Sequence, residues 1–382
     1  MLSRAGWSAV RLLWACLIPM TVLGSEPGPS LTRFEFDETH MGSSFHIVLY
    51  CADDATARRA SRAAFARVAA LDATLSDYKP ESELMQLCQK AGGPPVPVGA
   101  DLFRVLELSH RMYERSGGAF DITVAPVVRL WRRARRDRKL PDPDLLAKAL
   151  ALVGSDAMRL DAEHQTVELR KTGMKLDVGG LAKGYAAGEA IATLRHRGIT
   201  RALVAAAGDI VVSGAPPDAD GWTVAIAPLE SPRAEPRFYL SLEDAAISTS
   251  GDAEQYVEIG GKRYSHIVDP RTGLGVVDRC SVTVVATDGA TADSLDTAAY
   301  VLGPERGLAL IEATPGTSAL IVRSTPSGIQ TFESNGFRKI PRARSNLAAP
   351  PIESSVPPKD APRSAPSIPE SVSPPGSRPA PG

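Results

Sequence analysis

The order of predicted secondary structure along this chain constrains its fold more than any other feature. From about residue 200 the sequence consists mainly of short β-type runs, including ALVAAA, DIVVSG, WTVAIA, FYLSL and AAISTS. A hairpin follows in QYVEIGGKRYSHIV, which turns at Gly260-Gly261. Strands and helices therefore do not alternate as regular βαβ units, and no internal repeat is present. This order predicts an α+β fold of largely antiparallel sheets with packed helices.

Hydrophobic periodicity and capping residues predict the remaining elements. RFEFDETHMGSSFHIVLYC is typical of two strands joined at Met41-Gly42. Apolar residues at three- and four-residue steps predict a helix that begins at Asp53-Asp54 and stops before Tyr78. Further helices are predicted over 101–116, over 141–153 and over 292–302. MKLDVGGLAKGYAAGEAIATLRHRGI predicts a strand, a glycine turn and a long helix with Gly198 at the C-terminal cap. SVTVVAT and residues 318–323 are predicted as closing strands.

The two ends of the chain differ from its body. Residues 1–24 combine Arg4 and Arg11 with the apolar run LLWACLIPMTVLG, as secretory signal peptides do. We therefore expect an exported, periplasmic protein. Cys16 leaves membrane anchoring by lipidation as an alternative, although Trp14 is bulky for a lipid-attachment motif. Residues 341–382 are rich in Pro, Ser and Ala and predict a disordered tail, so that we expect residues 25–340 to form a single folded domain.

The charge balance argues against a general nucleic-acid binder, because 43 basic side chains face 44 acidic ones. The local exception is RLWRRARRDRKLP, at residues 129–141. We interpret it as a solvated helix that ends at a proline; the alternative is a patch for an anionic partner. Beyond residue 24 the chain has three cysteines, Cys51, Cys88 and Cys280, without CxxC spacing. Export would permit one disulfide among them, whose pairing the sequence does not specify.

TADSLDTAAYVL carries the first candidate site. Asp293 and Thr297 are four residues apart, so a helix presents them on one face with Asp296 nearby. Carboxylate and hydroxyl oxygens suit Mg²⁺, which usually keeps few protein ligands and lets substrate phosphates complete its coordination. The alternative is helix capping, since acids in a first turn complement the helix dipole.

Three glycine-containing turns are candidates for ligand contact. In DVGGLAKGY, Gly179 and Gly180 precede a helix whose N-terminus favours phosphate oxygens, and Lys183 adds positive charge. The spacing is not that of a Walker A loop, and a plain strand-to-helix turn is an equally good interpretation. Two glycine-acid turns also follow strands, at Gly208-Asp209 and at Ser250-Gly251-Asp252. Each is an ordinary loop by itself, and each is also suited to line an elongated ligand.

HIVDPRTG, at residues 266–273, contains a histidine shortly before a turn. The simple interpretation is a hairpin, in which residues 264–268 form a strand and Asp269-Pro270 begins the turn. A histidine also has the near-neutral pKa that suits proton transfer. The choice between these interpretations depends on the rest of the chain.

Eight motifs together resemble one family. MGSSF, DATLSDYKPESEL, GGAFDITVAPVVRLW, DVGGLAKGYA, AAGDI, STSGD, HIVDPRTG and ADSLDTAAYVLG occur in the order and spacing of the ApbE family, the FAD:protein FMN transferases. The resemblance covers roughly residues 34–325. It implies an α+β, T-fold-like domain that holds FAD in a cleft, uses Mg²⁺, and moves FMN onto a Ser or Thr hydroxyl of an acceptor protein with release of AMP.

The resemblance also implies roles for particular residues. The metal would be held by the backbone oxygen of Gly180 and the side chains of Asp293 and Thr297, with Asp296 as an extra member. Asp296 departs from the family, which often has a small or hydroxyl residue there. His266 would be the catalytic base that takes the proton of the acceptor hydroxyl. Contacts to FAD are expected from Met41, Tyr78, Ala119, Phe120, Asp121, Asp177, Lys183, Gly208, Asp209, Ser250, Gly251, Asp252, His266 and Ile267.

Three functions remain open from the sequence. The first is an exported flavin transferase that modifies a periplasmic or membrane-anchored electron-transfer protein. The second is an FAD pyrophosphatase, in which water replaces the acceptor and free FMN and AMP are released. The third is a flavin-binding protein without turnover. A base beside a metal site favours the two enzymes over the binder, because binding alone needs no base.

Overall fold

The computed structural model describes residues 30–229, 235–253 and 255–343. The helices within these residues are α1 (Asp54–Leu75), α2 (Glu83–Gln89), α3 (Ala100–Ser116), α4 (Ala125–Asp137), α5 (Pro143–Leu150), α6 (Ala182–His196) and α7 (Gly289–Glu312). Single 3-10 turns lie at Ile122–Val124, Ser155–Ala157 and Phe337–Lys339.

The strands of the described residues are short and numerous. They are β1 (Thr32–His40), β2 (Ser43–Cys51), β3 (Val96–Pro97), β4 (Met158–Asp161), β5 (Thr166–Leu169), β6 (Ala202–Ala206), β7 (Asp209–Val212), β8 (Trp222–Ile226), β9 (Phe238–Leu242), β10 (Ala245–Gly251), β11 (Tyr256–Ile259), β12 (Lys262–Ser265), β13 (Cys280–Ala286), β14 (Ser318–Thr325), β15 (Gly328–Glu333) and β16 (Arg342–Ala343).

One large sheet organises the molecule. Its eight strands follow the order β1-β2-β6-β7-β10-β13-β14-β15, and each neighbouring pair is antiparallel. Three smaller antiparallel sheets accompany it, in the orders β3-β5-β4, β11-β12 and β16-β9-β8. The predicted α+β architecture with largely antiparallel sheets is therefore confirmed.

The central strands of the large sheet are apolar on both faces because both faces are covered. Along β2, Phe45, Ile47 and Leu49 point to the helical side, whereas Val48 points to the opposite side. This alternation is the period-two geometry of a strand. A fully buried side chain of this size contributes about 1.5–3 kcal/mol relative to an exposed one. The strand thus joins two cores across the sheet.

The helical side is covered by α1, α3, α6 and α7. The closest approach is between α6 and α7, where a Cβ atom on Gly184 would lie 2.1 Å from the carbonyl oxygen of Gly289. A Cβ atom on Gly289 would meet Gly184 equally closely. Only glycine permits such backbone proximity. The start of each helix is therefore held directly against the other.

Two smaller cores complete the structure. The face of the sheet opposite the helices packs on β8, β9 and the buried rings of Trp222 and Phe337. A separate cluster joins α4, α5 and the β11-β12 hairpin through Trp131, Val257 and Tyr264. The indole Nε1 of Trp131 donates to the carbonyl oxygen of Gly273, 2.7 Å away. We call the part of the chain around this third cluster the α4–α5 lobe.

Several element boundaries differ from the sequence prediction. The segment before Gly179 is not a sheet strand, although its backbone leads directly into α6. The strand predicted over 264–268 ends at Ser265, because the chain bends at residues 266 and 267. Helix α7 begins at Gly289 rather than at residue 292, since Asp288 caps it by accepting from the Thr291 N–H at 2.8 Å.

The predicted helix stop at Gly303-Pro304 is a kink. Gly303 has a φ of 76°, and the helix resumes at Pro304 to continue to Glu312. The basic segment at 129–141 is likewise only partly solvated. Its helix starts at Ala125 and buries Trp131 and Ala134, so that one face belongs to the core of the α4–α5 lobe. The sequence reading overlooked α2, β3, β4, β5, β15 and β16.

Several predictions concern the two ends of the chain and the cysteines. The predicted signal peptide, Cys16 and residues 344–382 lie outside the described residues. The tail was predicted from residue 341, but Arg342 and Ala343 still pair with β9. Cys51, Cys88 and Cys280 are buried free thiols, so no disulfide links them. Within the described ranges, no helix has the length and apolar character required to span a bilayer.

Candidate active site

The register of the large sheet brings several predicted ligand segments to one end. The turn at Met41–Gly42 and the turn at Ala207–Gly208 lie at the same end of neighbouring strands, because β2 pairs with β6. Strand β7 pairs in turn with β10, which ends there at Ser250 and Gly251. The carbonyl oxygen of Thr249 is 3.4 Å from the Cβ position of Gly208. These turns form one rim of the sheet.

Lys183 points from the start of α6 into a group of carboxylates at this rim. Its Nζ lies 2.5 Å from Oδ2 of Asp209 and 3.9 Å from Oδ2 of Asp293. The two acidic side chains are only 4% and 5% exposed. The backbone N–H of Gly184 also donates to Oδ2 of Asp293 at 3.0 Å. The close contact of α6 with α7 therefore places an ammonium and an amide beside Asp293.

Hydroxyl groups extend this group of side chains along β10. Ser248 Oγ donates to Oδ2 of Asp296 at 2.6 Å and is also hydrogen-bonded to Asp209. Ser250 Oγ donates to the other oxygen of Asp296 at 2.9 Å and lies 3.1 Å from Oγ1 of Thr297. One network of polar side chains thus connects α6, β7, β10 and α7. We call it the oxygen cluster.

Burial dominates the electrostatics of the oxygen cluster. Burial, together with the charge of Asp209, raises the pKa of Asp293 to about 7. Burial and then Asp293 raise the pKa of Asp296 well above its usual range. Burial by itself would lower the pKa of Lys183, but the carboxylates of Asp209 and Asp293 outweigh it and raise that pKa. The ammonium is therefore permanently charged, and the surplus of buried carboxylates favours binding of a further cation or of protons.

The four predicted metal ligands meet in the oxygen cluster or beside it. The Cβ position of Gly180 lies 3.3 Å from Oγ1 of Thr297 and 3.3 Å from Cε2 of Phe120, so the backbone of Gly180 is against the hydroxyl. Asp293 and Asp296 follow on the same helix. Across the described residues, His, Cys, Asp and Glu side chains form no group of three or more positioned for a metal ion.

The donor set nevertheless suits Mg²⁺. Two carboxylates, a hydroxyl and a carbonyl are all hard oxygen donors, and Mg²⁺ is commonly held by one or two carboxylates plus substrate phosphates. Thr297 is tied to Ser250, which orients its hydroxyl at the cluster. The residues present therefore fit the ion that the resemblance implies, with most of its coordination left to phosphate and water.

Arg132 joins two of the predicted FAD contacts. Its guanidinium lies 4.7 Å from the centre of the Tyr78 ring and donates to Asp177 at 3.0 Å. It also donates to Asp77 at 2.9 Å. The Tyr78 side chain is 65% exposed, so one face of its ring is held by the cation while the side chain stays accessible. Tyr78 and Asp177 are thus fixed together at the edge of α4.

The segment Ala119–Asp121, which was predicted to contact FAD, is held in place by hydrogen bonds within the protein. Ala119, Phe120 and Asp121 are buried, and Asp121 is only 5% exposed. One of its oxygens accepts from the backbone N–H and the hydroxyl of Thr123, at 2.8 and 2.7 Å. The carboxylate also accepts from the N–H and the hydroxyl of Ser155. Asp121 therefore fixes the loop that presses Phe120 against the helix start, and its contact with FAD stays a prediction.

His266 follows β12 in a bend and is oriented by a backbone carbonyl. Its Nδ1 is 3.1 Å from the carbonyl oxygen of Gln255. A carbonyl only accepts hydrogen bonds, so Nδ1 carries the hydrogen and Nε2 is the ring nitrogen able to take up a proton. The next N–H, that of Ile267, donates to Ser265 Oγ at 3.1 Å. This orientation is the one a general base requires.

A chain of contacts links the oxygen cluster to the bend that carries His266. Asp252 follows Ser250 by two residues, and its Oδ2 accepts from Arg263 Nε at 2.5 Å. A second nitrogen of Arg263 donates to the Asp252 carbonyl at 2.6 Å. Arg263 also stacks on Tyr256, 3.2 Å from the ring centre. The end of β10 is therefore bound to the hairpin whose last residue, Ser265, precedes His266.

Sequence reasoning missed three residues of this site. Ser248 lies two positions before Ser250, and the alternation of side chains along β10 was the signal that both face the helices. Arg132 belongs to the basic segment that was interpreted as solvated. Arg263 carried no sequence signal, because its role depends on the pairing of the hairpin with the end of β10.

Comparison with known proteins agrees with the resemblance. The ApbE family model matches residues 41–321. A curated FAD:protein FMN transferase of Haemophilus influenzae is 31% identical over 311 residues, covering 78% of this chain and 89% of that protein. One of Treponema pallidum is 34% identical over 262 residues, covering 65% and 72%. These relatives confirm the prediction that the chain is an enzyme of the transferase class.

Solved structures show the same fold. The flavin transferase ApbE of Vibrio cholerae superposes with a TM-score of 0.73 at 28% identity, covering 82% of this chain and all of that one. The apo form of the Pseudomonas stutzeri flavinyl transferase ApbE gives 0.72 at 29% identity, covering 81% and 97%. With a family match over most of its length and relatives above 30% identity, this chain belongs to the ApbE family.

Proposed function

We propose that this protein transfers FMN from FAD to a Ser or Thr hydroxyl of an acceptor protein. The acceptor oxygen forms a bond to the phosphorus of the FMN half, and the bond from that phosphorus to the bridging oxygen breaks. AMP leaves with the bridging oxygen, and the hydroxyl proton passes to a base. The product is a phosphoester-linked flavin on the acceptor.

The observation that carries this proposal is the oxygen cluster and its connection to His266. A buried set of carboxylates and hydroxyls beside Lys183 suits a pyrophosphate with its metal ion, and a flavin binder without turnover has no need of it. The Asp252–Arg263 contact connects the cluster to a histidine whose Nδ1 is already committed to Gln255. The FAD:protein FMN transferase names of the relatives support the same reaction.

The residues of the chain have separate tasks in this reaction. Asp293, Thr297 and the Gly180 carbonyl would hold Mg²⁺, with Asp296 orienting the serines beside it. When bound, the ion supplies positive charge to the phosphate oxygens. Lys183 adds a fixed positive charge on the α6 side, where the helix N-terminus also favours anions. Most of the catalysis is then positioning and charge stabilisation, as for phosphoryl transfer in general.

His266 would remove the proton of the attacking hydroxyl. Nδ1 stays bonded to the Gln255 carbonyl, so the imidazolium formed at Nε2 keeps its orientation. Positioned general bases typically contribute about 10²–10⁴-fold in rate. Tyr78, whose ring is stacked by Arg132, would contact an aromatic ring of FAD from its accessible side.

We further propose that the acceptor belongs to an electron-transfer system and that the reaction takes place after export. A covalently attached flavin serves a redox protein, and residues 1–24 have the composition of a signal peptide. N-terminal sequencing of the mature protein from a cell fractionation tests export. A blocked or uncleaved N-terminus in the cytoplasmic fraction would contradict it.

The direct test measures both products of FAD. The mature protein is incubated with FAD and Mg²⁺, with and without candidate acceptor proteins. AMP is quantified by chromatography, and protein-bound flavin by in-gel fluorescence. The proposal expects AMP and bound flavin in equal amounts, dependent on acceptor and abolished by EDTA. Release of free FMN and AMP without acceptor would identify a pyrophosphatase instead, and FAD binding without AMP a flavin binder.

The variant His266→Asn tests whether His266 acts as the base. The Asn amide keeps a donor for the Gln255 carbonyl but lacks a nitrogen in the place of Nε2. We expect the transfer rate to fall by about 10²–10⁴-fold while FAD still binds. Asp220→Asn, at an exposed site elsewhere, serves as control. Full activity of His266→Asn would refute the assigned role while leaving the transferase proposal intact.

A further inference from the structure

Apart from Arg132, the basic side chains in and after α4 have no role in the proposed reaction. Residues 129–139 hold seven basic side chains against one acidic side chain, in a chain whose formal net charge is only −1. Burying one face of the helix explains Trp131 and Ala134 but not this charge. The remaining question is what the cations contact.

The basic side chains of α4 fall into two groups. Arg132 and Arg135 face the candidate site, where they contact Asp77, Asp177 and the side chain of Gln255. Arg129 and Arg133, followed by Arg138 and Lys139 after the helix, are exposed. We call these last four side chains the α4 cations.

The α4 cations are not held in place by other side chains of the part of the chain that the structure describes. None of the four side chains takes part in a salt bridge or hydrogen bond with the described residues, unlike Arg136, which pairs with the neighbouring Asp137. At 100° per residue, Arg129 and Arg133 lie about 60–160° around the same helix from the site-facing arginines, and Arg129 is nearest to Arg132. A ligand that covers Arg129 would therefore lie beside Arg132, which contacts Tyr78 and Asp177.

Exposed apolar side chains lie on the same lobe. Leu140 and Leu145 are 50% and 45% exposed, and Leu274 and Val277 are 46% and 54% exposed. Leu274 follows Gly273, whose carbonyl accepts from Trp131 and which packs on α5. Apolar positions next to arginines are typical of a protein–protein contact surface.

We infer that the α4 cations form the docking surface for an acidic segment of the acceptor protein. The inference rests on the proposed function, because the acceptor is the macromolecule that must bring a hydroxyl to His266. The tail of the chain itself is a poor occupant, since residues 344–382 carry four basic and three acidic side chains. An anionic lipid surface would match the charge, but it has no reason to extend along α4 towards Gln255.

The test measures binding without FAD, so that it succeeds or fails independently of catalysis. The probe is a fluorescein-labelled synthetic peptide with one threonine flanked by aspartates and glutamates, compared with its Asn/Gln counterpart. Fluorescence anisotropy should show binding of the acidic peptide only, weakening as NaCl rises from about 50 to about 200 mM.

Two quadruple variants decide the location of the peptide. Arg129→Gln/Arg133→Gln/Arg138→Gln/Lys139→Gln should weaken acidic-peptide binding by about tenfold, because each exposed charge pair contributes little by itself. Its thermal midpoint and FAD affinity should be unchanged. The control replaces the same number of exposed cations on other elements, as Arg62→Gln/Arg159→Gln/Arg170→Gln/Arg306→Gln, and should bind as wild type does.

Three results would overturn the inference. The first is failure of the acidic peptide to bind the wild type, and the second is equal weakening in both quadruple variants. The third is variant-sensitive binding to vesicles of phosphatidylcholine with about a third phosphatidylglycerol while the peptide does not bind, which would assign the surface to a membrane. If the peptide binds as expected but no acceptor is ever flavinylated, the docking surface stands and the proposed function fails.

Discussion

Asp293→Asn should make the metal-free protein more stable, and increasingly so as the pH rises. In the folded protein the pKa of Asp293 is about 7 because the carboxyl is buried beside Asp209. In an unfolded chain an aspartate has a pKa of about 3.9. Between these values the folded state binds more protons than the unfolded state, so raising the pH favours unfolding. Asn cannot ionise, and its amide oxygen still accepts from Gly184.

The size of the effect follows from the two pKa values of Asp293. A difference of about three pH units corresponds to about 4 kcal/mol in total at 1.36 kcal/mol per unit. Well below the unfolded-state pKa of about 3.9 the carboxyl is neutral in both states, and its contribution to the pH dependence vanishes. From pH 5 to pH 8 the stability gain of the variant over wild type should grow by about 3 kcal/mol. For a folded domain of this size, that is a relative shift of roughly 4–5 °C in the thermal midpoint.

The assay is urea unfolding in EDTA at several pH values, followed by circular dichroism. Asp220→Asn at an exposed position controls for the loss of one carboxyl and should show no such trend. Saturating Mg²⁺ should stabilise wild type at pH 8 and leave Asp293→Asn nearly unaffected. A gain for Asp293→Asn that is constant with pH, or that shrinks as the pH rises, would refute the reasoning about its buried charge.

Three further changes test the scaffold. Gly184→Ala should destabilise the protein by at least about 1–3 kcal/mol in urea unfolding, because the new methyl group collides with Gly289. The control is Gly188→Ala on the same helix, whose methyl group meets no atom and which should be neutral or stabilising. Trp131→Phe removes the hydrogen bond to the Gly273 carbonyl and should cost about 1–3 kcal/mol; an unchanged unfolding midpoint would show that the bond is dispensable. Reducing agent should leave the thermal midpoint unchanged, since the three cysteines beyond residue 24 are free; a lower midpoint would reveal a disulfide.

The sequence was informative wherever local chemistry decides the structure. The cap at Asp53 and the glycine at position 198 follow from side-chain and φ preferences that act over a few residues, and both were predicted. The period-two pattern of β2 is equally local. The residues 177–183 and 293–297 were selected by composition and by resemblance, and the structure brings their side chains together at one end of the sheet.

The features that the sequence did not predict depend on contacts between segments that are far apart in the chain. Ser248 matters because β10 lies beside β7 and beneath α7, an arrangement that spacing in the sequence does not encode. The bend at His266 replaces a regular strand because residues 265 and 267 bond to the segment that returns at Val276. The burial of Trp131 within a basic run was missed because its partner, Tyr264, is far away in the sequence.

The small core of the α4–α5 lobe has an evolutionary consequence. Its buried side chains, among them Val127 and Tyr264, form a cluster separate from the one beneath the oxygen cluster. Substitutions at sites without shared contacts have nearly additive effects on stability. A lineage of such enzymes is therefore free to diversify the side chains of α4 and α5 that do not face the candidate site, while the residues of the oxygen cluster are inherited unchanged. Partner choice and catalysis then diverge at different rates within one chain.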